Sequence, residues 1–201
     1  MGGVTGMKFS ISKAVITGSL LLTIIFGLTA CSSKTVEWNG EMESYRLTMV
    51  YDETNLYEIA GTVDYIFIGT VDSVINNVVD YNSSAEYAAY SSYKITVEEN
   101  LKGELKNEVE CYRHGGYLKD GTLLYPVSDN LENTRDIPQE GKRYIFMAFG
   151  QRDGALVLEE FFGDIEFTDN EMKEDYMDYI SNEIPDNRTR CMSKYDINYG
   201  N

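Results

Sequence analysis

The alternation of apolar and polar residues predicts a chain built mostly from short β-strands. Tyr93, Ile95 and Val97 alternate with polar neighbours, the pattern of a strand with one buried face. Runs rich in β-branched and aromatic residues predict the other strands, at 45–51, 65–74, 109–112, 123–125, 143–149, 155–160 and 162–167. Gly69, inside the most apolar run, predicts a bulge or sharp bend. The last two runs predict a closing hairpin.

Two helices are expected at opposite ends of these strands. Residues 54–60 predict a short helix, with Thr54 as its cap and Gly61 as its stop. Residues 168–171 (TDNE) match a capping box, and a helix should follow with one apolar face made of Met172, Tyr176, Tyr179 and Ile180. Residues 126–141 are predicted as a long loop. The fold class is therefore mostly β, a small and strongly bent β-barrel with a short N-terminal helix and a C-terminal helix.

The N-terminal stretch has the pattern of an export signal. Lys8 and Lys13 precede an apolar run at 14–28, and a polar segment begins at Ser32. The four residues 28–31 (LTAC) resemble the lipobox of bacterial lipoproteins. That resemblance implies cleavage between Ala30 and Cys31 and transfer of a diacylglyceryl group to the Cys31 thiol. Two acyl chains anchor a protein stably, whereas one chain holds it only marginally. We therefore expect a lipid anchor on the extracytoplasmic face of the cell membrane.

An uncleaved membrane helix is the alternative interpretation. Spanning a bilayer takes about 20 apolar residues. The run at 14–30 is shorter and is interrupted by Thr17, Gly18, Ser19, Thr23 and Thr29. Translation can begin at Met1 or at Met7. The expected organisation is a signal peptide at 1–30, a tether and possible first strand at 31–52, a barrel domain with its helix at 53–184, and a polar tail at 185–201.

The net negative charge of the chain excludes some classes of binding partner. The whole chain has 17 basic and 33 acidic residues. Only Lys8 and Lys13 are charged before Cys31, so removal of the signal leaves 15 basic and 33 acidic residues, a net charge of −18. A nucleic acid would be repelled by such a surface, because its phosphates carry the same sign. Attraction to an acidic membrane through the protein body is disfavoured for the same reason.

The remaining cysteines leave two alternatives. Cys111 and Cys191 form an even pair in an exported domain, where a disulfide can persist. A bridge between them would close a loop of about 80 residues and contribute on the order of 4 kcal/mol. The other alternative is two separate thiols. The spacing does not match a zinc site.

No catalytic or metal-binding pattern stands out. His114 is the sole histidine, and its position before Gly115 and Gly116 is typical of a turn. A calcium loop beginning at Asp129 fails, because Leu131 stands where a ligand is needed and Thr134 where glycine is needed. We therefore predict no cofactor, no metal site and no catalytic set.

Several short motifs resemble a known family of barrels. They are 64–71 (DYIFIGTV), 93–97 (YKITV), 101–103 (LKG), 115–116 (GG) and 140–146 (EGKRYIF). The chain over 55–167 resembles the oligonucleotide/oligosaccharide-binding (OB) type of barrel of the tissue-inhibitor-of-metalloproteinases and netrin modules, in a branch found in bacterial exported proteins. It departs from that pattern at Val63, where alanine is usual. The resemblance implies a fold and brings no catalytic residues with it. Inhibition through a free N-terminal cysteine amine is not expected, because Cys31 would be acylated.

Two functions from different classes remain. The favoured one is a non-catalytic, lipid-anchored binding module, whose tyrosine-rich face binds an extracellular protein, a peptide or a glycan. A protease-inhibitor-like module belongs to the same group. The alternative is a surface hydrolase that uses acidic residues, with His114 and the acids Asp129, Glu132 and Asp136 as the residues to test.

Overall fold

Five strands of the computed structural model close into a small β-barrel. Strand β2 (Tyr65–Asn76) pairs with β3 (Tyr90–Lys102), β3 with β4 (Glu108–His114), and β4 with β8 (Leu156–Leu158). Strand β8 then pairs with β7 (Arg143–Gly150), whose other edge returns to β2. The β4–β8 pair is parallel, and the other four are antiparallel. The prediction of a mostly β fold with a small barrel is confirmed.

The structure describes residues 35–128, 130–131 and 137–200, which all belong to one compact unit, Ser32–Asn201. The predicted cleavage site at Ala30 and Cys31 lies outside these residues, as do Asp129, Glu132 and Asp136. Within the described part of the chain, no helix is long and apolar enough to cross a membrane.

Four further strands extend the barrel. Strand β9 (Asp164–Glu166) pairs with the first half of β7. A separate three-stranded sheet contains β1 (Met42–Arg46), β6 (Leu123–Val127) and β5 (Gly116–Tyr117), with β1 and β6 parallel. The first strand was expected at 45–51, so it begins and ends earlier than its sequence pattern predicted.

The closing hairpin predicted at 155–167 is wrong. Strands β8 and β9 do not pair with each other; both pair with β7, along different halves of the same edge. All three residues of β8 are buried, and its second edge pairs with β4. Between β8 and β9 the chain keeps its direction along β7 and loops out over 159–163, where the Glu159 carboxylate accepts hydrogen bonds from the amides of Phe161 and Phe162.

Gly69 lies at one of the four places where the register between β2 and β3, the longest pairing of the barrel, shifts. The register between β2 and β3 shifts between Ile68 and Gly69. A Cβ atom at Gly69 would lie 2.7 Å from the carbonyl oxygen of Thr96, which no real side chain tolerates. The bulge predicted from this glycine is confirmed, and the close strand contact explains why glycine is required there.

Two hydrophobic cores lie on opposite sides of the barrel wall. Phe67 and its neighbours fill the interior, while Ile66 and Ile68, one residue along, point out of the barrel. Helices α1 (Leu56–Thr62) and α2 (Asn170–Ser181) cover the outer core. Burial of each such large side chain contributes roughly 1.5–3 kcal/mol. Strands β2 and β7 are therefore apolar on both faces, because both faces are covered.

The caps of both helices differ by one residue from the prediction. Asn55 caps α1 in place of Thr54, and Asp169 caps α2 in place of Thr168. The carboxylate of Asp169 accepts the amide of Met172 at 3.0 Å, while the Thr168 hydroxyl donates to that same carboxylate. A carboxylate at this position also interacts favourably with the helix dipole. The predicted apolar face of α2 is confirmed: it packs on the outer core through Met172, Tyr176, Tyr179 and Ile180.

The segment predicted as a polar tail at 185–201 is fastened to the barrel over its described part. Arg188 donates to the carbonyl oxygen of Thr62 at 2.8 Å, and Arg190 donates to those of Gly61 and Val63. These carbonyls end α1 without partners inside the helix, so the two guanidinium groups satisfy them and complement the dipole.

Candidate functional site

Aromatic side chains lie on the outer face of the barrel, where β3 begins and β4 ends. Tyr90 of β3 lies opposite His114 of β4. Because side chains alternate along a strand, Tyr112 shares the outer face with His114, whereas Cys111 and Arg113 point inwards and are buried. His114 was predicted as a turn residue; it is the last residue of a strand, and the turn follows at Gly115.

Six rings form a continuous contact series across this face. Tyr87 stacks on Tyr112 with 4.6 Å between ring centroids and meets Tyr90 edge to face at 5.4 Å. The ring of Tyr90 lies 4.7 Å from that of His114. We call this set the tyrosine row; in order, it contains Tyr112, Tyr87, Tyr90, His114, Tyr45 and Tyr81.

His114 joins the two halves of the row. Its ring lies 5.1 Å from Tyr45 and 5.5 Å from Tyr81. A hydrogen bond of 3.0 Å links the Tyr45 hydroxyl to Nδ1, and the Tyr81 hydroxyl lies 3.4 Å from Nε2. Glu160 Oε2 approaches Nδ1 at 3.6 Å. Both ring nitrogens therefore face phenol groups, which fixes the orientation of the imidazole within the row.

Tyr87 has a strained backbone conformation, and two contacts of its side chain hold it in place. Its φ of +58° lies in the left-handed region, which is uncommon for a residue other than glycine and costs about 1–2 kcal/mol. Its hydroxyl donates to Asp153 Oδ2 at 2.9 Å, in the turn between β7 and β8. A residue keeps a strained backbone conformation only where contacts with its neighbours hold it there, and such residues are often found at binding sites. The hydrogen bond and the stacking on Tyr112 supply that restraint here.

The tyrosines of the row stay neutral at physiological pH. Burial raises the pKa of Tyr45, and the hydrogen bond with Tyr81 raises it further. Burial likewise raises the pKa of Tyr81 and Tyr90, and that of Tyr112 to about 12. Tyr81 remains 37% exposed. The tyrosines of the row thus offer uncharged aromatic faces and phenol hydroxyl groups to a ligand.

A buried ion pair lies on the inner side of the same strand. Arg113 Nε donates to Asp164 Oδ2 at 3.1 Å, and both side chains are almost fully buried. Burial acts to lower the pKa of Arg113, but the Asp164 carboxylate and the phenols of Tyr93 and Tyr45 outweigh it, so the pKa is raised. Nη1 and Nη2 have no hydrogen-bond partner among the described residues. The pair holds two opposite charges inside the barrel, on the face of β4 opposite to Tyr112 and His114.

Glu159 is the most deeply buried carboxyl group near this site. Its Oε1 accepts the hydroxyl of Tyr51 at 2.8 Å, and its Oε2 accepts two backbone amides. Burial raises its pKa to about 7. No part of Glu159 is exposed to solvent, so it stabilises the loop between β8 and β9 and does not face the tyrosine row's outer surface.

The structure describes Cys111 and Cys191 as free thiols. Cys111 lies inside the barrel, and burial raises its pKa well above the usual value. Cys191 is half-buried in the C-terminal segment, where its backbone packs against Gly150. The described residues contain no group of three His, Cys, Asp or Glu side chains that could hold a metal ion.

Comparison with known proteins adds no identification. No model of a protein family matches this chain, and no curated protein matches it.

The sequence predicts a tyrosine-rich face but does not identify the residues of the tyrosine row. Its members come from β1, from the connection between β2 and β3, and from β3 and β4. The contacts between Tyr45 and His114 join residues 69 positions apart. The available signal was the count of 16 tyrosines, which gives abundance without position.

Proposed function

We propose that the chain is a lipid-anchored, non-catalytic binding module on the extracytoplasmic face of the membrane, with the tyrosine row as its ligand-binding surface. The anchor is argued from the sequence around Cys31, where the basic, apolar and lipobox segments follow each other in the order of a lipoprotein signal. The single observation that carries the binding role is the row itself, six ring side chains in contact along one face.

The order of strands supports an OB type of barrel. Numbered from β2, the barrel has the order 1-2-3-5-4-1, and its third and fifth strands run parallel. OB barrels bind oligosaccharides and oligonucleotides on the face of their second and third strands, flanked by the first and fourth loops. In this chain those parts are β3, β4, the connection 77–89 and the turn 151–155. Tyr90, Tyr112 and His114 lie on that face, and the Tyr87–Asp153 hydrogen bond joins the two loops.

The chemistry of the row favours a neutral glycan. A pyranose ring can pack its C–H face on a tyrosine ring while its hydroxyls bond to the phenol oxygen, since tyrosine has an apolar body and a polar end. An oligonucleotide would stack equally well. Its phosphates, however, would meet a protein of net charge −16 even before the two signal lysines are removed.

The proposal is tested by binding of a glycan library to the mature, lipidated protein in detergent. Tyr81→Ala and Tyr112→Ala should each weaken binding roughly tenfold, because each removes a ring on which the ligand packs; stacking of a nucleic-acid base on such a ring is worth about 1–3 kcal/mol. Tyr57→Ala is the matched control, because Tyr57 lies on α1 and contacts Tyr179 on α2. Binding that is equally sensitive to Tyr57 would overturn the assignment of the row. Binding of peptides alone would replace the glycan by a protein ligand.

The anchor has an independent test. Mass analysis of the N-terminal peptide of the mature protein should find Cys31 as the first residue, with a diacylglyceryl group on its sulfur. Recovery of residues 1–30 still attached, or of an unmodified Cys31 thiol, would refute the anchor. A hydrolase would instead show product release from the glycan library that Asp129→Asn, Glu132→Gln or Asp136→Asn abolishes.

A further inference from the structure

The chain is hydrogen-bonded to the barrel from Val36, the second residue that the structure describes. The amide of Val36 donates to Asn77 Oδ1 at 2.8 Å, and Asn77 Nδ2 donates to the carbonyl oxygen of Val36 at 3.0 Å. The side chain of Asn77 is buried. This two-point contact fastens the backbone at Val36 to the end of the barrel.

The attachment continues without a break. The amide of Asn39 donates to the Gly121 carbonyl at 3.1 Å, and the amide of Leu123 donates to the Glu41 carbonyl at 3.0 Å. Strand β1 then pairs with β6 from Met42 onwards. Of the segment expected as a tether and possible first strand at 31–52, the residues from Val36 onwards are therefore hydrogen-bonded to the folded body.

Only Ser32, Ser33, Lys34 and Thr35 separate Cys31 from Val36. The five Cα–Cα steps between Cys31 and Val36 span at most about 18 Å when fully extended. The polar layer on each side of a bilayer is on the order of 5–8 Å thick. A diacylglyceryl group on Cys31 would therefore hold the surface around Val36 close to the lipid headgroups.

Large apolar side chains are exposed on that surface. Trp38 is 51% exposed and Met42 is 41% exposed. The Trp38 indole Nε1 donates to the carbonyl oxygen of Glu41 at 2.9 Å, which fixes the ring while leaving it accessible. Tryptophan is enriched at membrane–water interfaces, because its ring is apolar and its N–H is polar.

We propose that the short linker holds the Trp38–Met42 surface against the bilayer that carries the Cys31 acyl chains. This inference rests on the lipid anchor of the proposed function. Glu37, Glu41 and Glu43 are exposed beside Trp38, so acidic lipids repel this surface and it has little membrane affinity of its own. Contact therefore depends on the length of the linker.

The orientation also places the tyrosine row near the membrane. Tyr81 follows Asn77 by four residues, so their Cα atoms lie within roughly 14 Å of each other. A ligand of the tyrosine row should consequently bind close to the membrane surface.

Trp38 is the sole tryptophan of the chain, so its fluorescence reports this surface alone. The mature, lipidated protein is reconstituted into phosphatidylcholine vesicles that carry bromine on their acyl chains. We expect the emission to shift to shorter wavelength, to lose intensity by bromine quenching, and to become less accessible to iodide. The matched control is the lipidated protein with a flexible Gly/Ser insertion of roughly twelve residues between Lys34 and Thr35, which adds on the order of 20 Å of reach. This variant should lose the quenching while remaining bound to vesicles.

The outcomes separate this inference from the proposed function. Lipidated protein that floats with vesicles, yet shows unquenched Trp38, overturns the orientation and leaves the anchor intact. Quenching that survives the insertion also overturns it, because the short linker would not be the cause. Protein that carries no acyl group and does not float overturns both the anchor and the orientation.

Discussion

The hydroxyl of Tyr87 donates to Asp153 Oδ2 across 2.9 Å and so ties the connection between β2 and β3 to the turn between β7 and β8. Tyr87 also stacks on Tyr112, at one end of the tyrosine row. One side chain thus fixes both the shape of a loop and the end of the candidate binding surface.

Removing this hydroxyl should weaken ligand binding more than it weakens the fold. Tyr87→Phe keeps the stacking ring but loses the hydrogen bond, so the free energy of unfolding should fall by about 1 kcal/mol or less. Glycan binding should fall several-fold, because the loop is no longer fixed. Tyr57→Phe is the control, since it removes a similar tyrosine–aspartate bond of 2.8 Å on the helical side. Equal losses of binding in the two variants would contradict a role for Tyr87 in the site.

The fold should be strongly destabilised when one partner of the Arg113–Asp164 ion pair is removed. Asp164→Ala leaves a buried guanidinium uncompensated, and the free energy of unfolding measured in urea should fall by about 3–5 kcal/mol. The double variant Arg113→Met, Asp164→Leu should recover much of that loss, since it leaves no buried charge. If the single variant cost less than about 1 kcal/mol, the pair would not be a significant part of the fold.

Much of the barrel follows from local pattern. The apolar run over β2 predicts the strand, and Gly69 predicts its bulge, because both depend on neighbours along the chain. The apolar face of α2 follows from helical periodicity in the same way. The pairing of β8 does not, since its two neighbours β4 and β7 decide it and an apolar run of three residues fits a hairpin equally well.

The candidate site lies beyond such local reasoning. Tyr45 and His114 meet only because β1 is placed beside the end of β4, and nothing in either strand's sequence predicts the other. The polar residues after Pro185 likewise predict a tail, whereas Arg188 and Arg190 donate hydrogen bonds to backbone carbonyls at the end of α1.

Stability should fall as pH rises towards neutrality because of Glu159. Burial raises its pKa in the folded state to about 7, against an ordinary value of 4.5. Between those values the folded protein holds a proton that the unfolded chain has lost, so the slope of unfolding free energy with pH is negative. The contribution is fully present below pH 4.5 and is lost as pH passes about 7; its size is of order 3 kcal/mol. Urea unfolding from pH 5 to pH 8 measures it, and Glu159→Gln should remove this component. A wild-type stability that rises over the same range as steeply as that of the variant would contradict the raised pKa.

The two thiols should differ sharply in reactivity. A maleimide reagent should label Cys191 in the folded protein, because its side chain is half-buried. Cys111 should react only after denaturation, since burial hides its sulfur and raises its pKa. Labelling without reductant counts the free thiols, and Cys191→Ser is the control that should abolish the reaction of the folded protein. An unreactive protein whose two cysteine peptides are joined would establish the disulfide instead.

The most direct test of the tyrosine row as a ligand surface is photo-crosslinking at Tyr81 in intact cells. Tyr81 is partly exposed and belongs to the row, so p-benzoyl-phenylalanine at that position should form light-dependent adducts with the ligand. The same substitution at Tyr57, on the helical side, is the control. We expect glycan adducts at position 81 that are missing at position 57. No light-dependent adduct at position 81, with the protein anchored and folded, would contradict a binding role for the row.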